Sequence, residues 1–104
     1  MIQVAGEDLL RALKRFKGLA KQDLLSSDLS PDPQFWRTHA ETRRTEYKKL
    51  IEIVENSGVE NACVYAYNTY ESLLVSTDER DLATYKGREQ AIELFFQILG
   101  ITPE

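Results

Sequence analysis

The sequence predicts an all-α fold: four helices packed as an antiparallel bundle, in a single domain spanning residues 1–104. Three observations lead there. Apolar residues recur at steps of three and four in four separate stretches, the period of a helix with one buried face. Prolines stand only at positions 31, 33 and 103, and glycines at 6, 18, 58, 87 and 100, which leaves long stretches almost free of breakers. Strand-forming residues concentrate in one run, Val64–Tyr67, with no second run to pair with it and no Asn-Gly or Asp-Gly turn.

The first helix is predicted over about Glu7–Leu25. Leu9, Leu13, Phe16, Leu19 or Ala20, and Leu24 form its stripe, and Glu7 and Asp8 sit where the helix dipole favours acids. Gly18 interrupts it at a cost of roughly 1 kcal/mol relative to alanine, and marks a bend or a close backbone approach. Ser26–Pro33 reads as a connector, because each proline pushes the residue before it toward extended backbone. Leu29 is expected to tuck over the end of the bundle. Asp32 suits the N-cap of the second helix and Pro33 its first position.

That second helix is expected to run from Pro33 to about Asn56. Trp36, Ala40, Arg43, Tyr47, Leu50, Ile51 and Val54 make its stripe, with Arg43 snorkelling so that its guanidinium stays in water. Gly58 supplies a left-handed stop, with Val59 folding back on Val54 as in a Schellman cap. The third segment, Val59–Val75, lines up Val59, Ala62, Cys63, Ala66, Tyr70, Leu73 and Leu74 as a helix. With only Glu60 and Glu71 charged, it is expected to be the most buried of the four. Ser76-Thr77-Asp78-Glu79 matches a capping box and is expected to open the fourth helix. Leu82, Tyr85, Ile92, Phe95, Phe96 and Leu99 give that helix its stripe. Gly87 marks a bend or a close crossing, and Gly100 with Ile101 a stop.

Composition narrows the function classes. The chain has 104 residues, a formal charge of -4 and ten aromatics among its 42% hydrophobic residues, which is a folding composition. No run reaches the roughly 18 apolar residues of a membrane helix, and the N-terminal segment, with its two acids, carries no signal-peptide pattern. The lone Cys63 can form neither an internal disulfide nor a thiolate cage, which fits a reducing, cytoplasmic setting.

Charge is polarised along the chain. Residues 1–22 hold five bases against two acids, and residues 59–104 three bases against eight acids. Arg11, Lys14, Arg15, Lys17 and Lys21 read as a solvated face paired with acids of the fourth helix. Their alternative reading is an anion-binding or nucleic-acid-facing stripe. The pI near 5.0 disfavours a nucleic-acid partner.

No phosphate loop, nucleophile elbow or C-x-x-C is present. His39 has no second histidine or E-x-x-H partner and reads as a boundary residue packing on its helix. Cys63, with no base within a turn, reads as buried and unreactive. No cofactor is expected. Tyr65, Tyr67 and Asn68 lie beside the stripe of Cys63, Ala66 and Tyr70 on the third helix, and form either the expected partner surface or homodimer seam, or the lining of a polar-rimmed core. The function expected from these features is protein–protein interaction or self-association, without catalysis.

One alternative is enzymatic. Glu52-x-x-Glu55 and Asp78-x-x-Asp81 place carboxylate pairs on two helices, the arrangement that holds Mg²⁺ through oxygen ligands. Those spacings are similar to part of the pattern of all-α nucleotide pyrophosphohydrolases of the MazG type, although the doubled acid of that pattern is missing here. The resemblance implies a Mg²⁺-dependent hydrolase, with Glu52, Glu55, Asp78 and Asp81 as metal ligands.

Overall fold

The structure, a computed structural model, describes residues 5–75 and 82–101. All regular elements among them are helical: α1 (Gly6–Leu25), a 3-10 turn (Ser27–Leu29), α2 (Pro33–Ser57), α3 (Val59–Val75) and α4 (Leu82–Leu99). The capping box at residues 76–79 lies outside the described residues.

The local signals act as the residue chemistry requires. Asp32 accepts a hydrogen bond from the Phe35 N–H at 3.2 Å, and Pro33 occupies the first turn of α2. At the far end, Gly58 takes φ +93° and its N–H donates to the Val54 carbonyl, a single closing bond. Gly100, at φ +70°, supports two: its own N–H to the Gln97 carbonyl and that of Ile101 to Phe96, the full Schellman pair.

Helix α2 is the central element, with α1 and α4 lying along it and α3 packed more lightly against α2 and α4. One hydrophobic cluster joins all four, with Leu9 and Leu13 from α1, Tyr47 and Leu50 from α2, Ala62 and Ala66 from α3, and Ile92, Phe95 and Phe96 from α4. Helical spacing therefore governs Val59–Tyr70, and the strand alternative at Val64–Tyr67 is not taken up.

Helix α3 is not the most buried. Among the described side chains it gives Ala62, Cys63, Ala66 and Leu73 to the interior, while α4 gives seven residues including both phenylalanines. The reason is size: small residues on α3 fill less of the interior than the aromatics facing them.

The two glycines within helices differ. At Gly18 a methyl group would meet nothing within 4 Å, so no backbone comes close there. At Gly87 it would lie 2.7 Å from the His39 carbonyl oxygen and 3.2 Å from Thr42 Cβ, which makes Gly87 the contact point of α4 on α2.

Several expectations at the α1–α2 end are corrected. Leu29 does not tuck over the bundle but is 89% exposed, and Trp36 is 46% exposed. The buried stripe of α2 begins at His39 and Ala40, one turn further on. Arg43 does not snorkel: its side chain is only 12% exposed, because Asp23 at the end of α1 meets its guanidinium at the surface. His39 is buried, not a boundary residue.

Candidate functional site

Positions 39, 43 and 47 follow one another at i, i+4 and i+8, so they stack along one face of α2. Each carries a buried polar atom without a hydrogen-bond partner among the described residues: His39 Nδ1, Arg43 Nε and Tyr47 Oη. A buried group left unpaired costs about 1–3 kcal/mol, so three in a row call for a physical account.

The surroundings are specific. Arg43 Nη2 donates to Asp23 Oδ2 at 2.6 Å, tying α2 to the end of α1. The His39 ring lies 5.2 Å from Trp36 and 6.0 Å from Phe35, centroid to centroid. Burial pushes the His39 imidazole below its ordinary pKa of 6.5; the Arg43 guanidinium adds to this and Asp23 opposes it. His39 is therefore neutral at pH 7, with one ring nitrogen free to accept. Tyr47 is stacked on Phe16 at 5.8 Å, and burial pushes its hydroxyl up to about 12, against a smaller opposing pull from Arg43.

Over His39 and Arg43 opens a pocket of about 370 Å³, walled by Asp23, Ser26, Ser27, Ser30, Trp36 and Gln90. The connector is held in shape by its own serines. Ser27 Oγ donates to the Leu24 carbonyl at 2.8 Å and Ser30 Oγ to the Ser27 carbonyl at 2.6 Å. Arg37 pairs with Asp28 and fixes the turn to α2. Leu25 (73% exposed), Leu29 and Trp36 are three large apolar side chains on this connector and the two helix ends it joins.

A second polar constellation joins α2, α3 and α4. The buried carboxylate of Glu46 accepts from Tyr65 Oη and from Arg88 Nε, each at 2.8 Å. Burial, and then the bond to Glu46, raise the Tyr65 pKa. Two charged residues and a tyrosine from three helices thus form one network in which the buried Glu46 carboxylate is paired with an arginine that reaches the surface, the arrangement in which a buried charge is tolerated. Glu46 was legible only as an acid at i−4 from Leu50, on the edge of the apolar stripe.

The sequence-predicted residues fall as follows. Tyr65 is half-buried, with its hydroxyl on Glu46 and Lys49 Nζ 5.3 Å from its ring centre. Tyr67 is half-buried against Phe96 at 4.8 Å, and Asn68 is exposed. Cys63 is buried, and burial with Glu60 nearby raises its thiol pKa. Glu52 and Glu55 are exposed and line a groove with Lys14, Lys17, Lys21, Arg44 and Lys48. Asp78 and Asp81 lie outside the described residues. Among those described, no group of three His, Cys, Asp or Glu side chains is placed to hold a metal ion, and no helix is long and apolar enough to cross a membrane.

Among the described residues the bases of α1 pair with no acid of α4. Helix α1 lies mainly on α2, so its bases pair within α1 or with α2: Arg11 with Asp8, at 3.4 Å, and Lys14 with Glu55, at 3.7 Å.

No family model, curated protein or solved structure matches the chain.

Proposed function

We propose that the chain is an antiparallel, up-down-up-down bundle forming one cytoplasmic domain, and that it works by docking a protein partner or a second copy of itself. The docking end is the junction of α1 and α2. The observation that carries this is the exposure of Leu25, Leu29 and Trp36 on the connector and the helix ends it joins, with Trp36 also lining the pocket over His39 and Arg43.

Burying a leucine or tryptophan side chain stabilises by about 1.5–3 kcal/mol, and tryptophan and arginine are the residues that most often anchor an interface. The pocket adds polar specificity, since Ser30, Gln90 and the Asp23–Arg43 pair line it. This end replaces the α3 tyrosines as the favoured surface, because Tyr65 and Tyr67 are engaged inside the chain.

Sedimentation over a range of concentrations, with chemical crosslinking in native extract, tests the reading. The wild-type chain is expected to self-associate or to hold one defined partner. Leu25→Asp with Leu29→Asp is expected to abolish that association at unchanged thermal stability, since both side chains stand mostly in water. A chain that is monomeric throughout, or whose partner is held equally well by the double variant, removes the proposal.

A further inference from the structure

We propose a separate binding site on another face: the groove between α1 and α2 binds the backbone phosphates of a single-stranded nucleic acid. Its volume is about 520 Å³. Two helices bring like charge to it, Lys17 and Lys21 from α1 and Arg44 and Lys48 from α2. Among the described residues these four cations take part in no ion pair.

Convergence of like charges across a helix–helix seam works against packing, and a folded chain ordinarily interleaves acids there. Acids flank both ends: Glu55 meets Lys14 at 3.7 Å with Glu52 one turn before it, and Glu41 borders Lys17, Arg44 and Lys48 on the other side. None of these acids forms an ion pair with Lys17, Lys21, Arg44 or Lys48 among the described residues. Residues 17 and 21, and residues 44 and 48, are each one helical turn apart. They form two short rows about 5–6 Å in step, the spacing of i, i+4 neighbours.

Such rows track a chain of regularly spaced anions better than a single carboxylate. No aromatic side chain lines the groove, so binding lacks the base stacking that single-strand sites commonly use and rests on phosphate contacts alone, which makes it weak and strongly salt-dependent. A cleft between two helices also admits one strand more readily than the convex face of a duplex. The net charge of -4 does not oppose this locally, because charges further away than about 8–10 Å are screened at ordinary ionic strength.

The test is fluorescence anisotropy of a short labelled oligothymidylate across a salt series. Four phosphate contacts give a slope of about −2.8 in log K against log salt, so affinity falls about fifty-fold between 50 and 200 mM. Lys21→Gln with Lys48→Gln, both at exposed positions, is expected to halve the slope to about −1.4, leaving a fall of about sevenfold. Arg11→Gln with Arg15→Gln removes the same charge from a different face, beside Phe16 and Ile98, and is expected to leave the slope unchanged. Absence of binding at 50 mM salt overturns the assignment. So does a slope that the Lys21/Lys48 variant leaves intact, or equal binding of polyglutamate, which would assign the groove to carboxylates.

Discussion

Replacing Gly87 by alanine adds one methyl group and tests the packing of α4 on α2. Alone, the change favours the helix by about 1 kcal/mol. In place, the new Cβ stands 2.7 Å from the His39 carbonyl oxygen, where ordinary contact begins at 3.4 Å, so the helices must part by about 0.7 Å. The obstacle is backbone, which has no rotamer to yield. Overpacking of this kind costs typically 1–3 kcal/mol, and the shift also strains the Glu46–Arg88 bond one residue further along α4. Net destabilisation of up to about 2 kcal/mol is expected, or a fall in Tm of up to roughly 15 °C for a domain of this size. Urea and thermal unfolding followed by circular dichroism measure it. Gly18→Ala is the control: it is the same change on an exposed helix face with open space around it, and it is expected to stabilise by about 0.5–1 kcal/mol. A Gly87→Ala chain stabilised as much as the Gly18→Ala control would refute the close crossing.

Three other outcomes follow from the site. Tyr65→Phe is expected to cost about 1.5–3 kcal/mol, the value of a hydrogen bond to a charged group, and Arg88→Ala a comparable amount. A double-mutant cycle should show coupling through Glu46, and additivity would dissolve the network. His39 has a folded-state pKa below 6.5, so the unfolded chain binds more protons as the pH drops. Stability is then full above about pH 6.5 and falls below it toward the folded-state value, and His39→Gln flattens that part of the profile; an unchanged slope between pH 5 and 7 removes the buried neutral imidazole. Cys63 is expected to react with thiol reagents only at the rate of unfolding, because burial raises its pKa and closes access. Rapid labelling of the folded chain would contradict its placement.

Helix identity and several of the stops were legible in the sequence because they depend on neighbours in the chain. The Asp32-Pro33 start, the Gly58 and Gly100 ends and the stripes through Leu9–Leu13 and Phe95–Leu99 are of this kind. The site was less legible. His39 and Arg43 lay on or beside a predicted stripe, yet their burial required Asp23 at the end of α1 and Gly87 on α4. Glu46 looked like an ordinary helix acid until Tyr65 and Arg88, 19 and 42 residues away, met it.

By itself, then, the sequence determined that the chain is helical and which faces are apolar, since periodicity and capping are short-range and act through neighbouring backbone groups. Tertiary structure alone decided which polar groups are buried, which cations face each other across α1 and α2, and which apolar side chains stay in water. Those outcomes depend on which helix lies beside which and at what distance, and burial and charge pairing are set by that geometry, not by spacing along the chain.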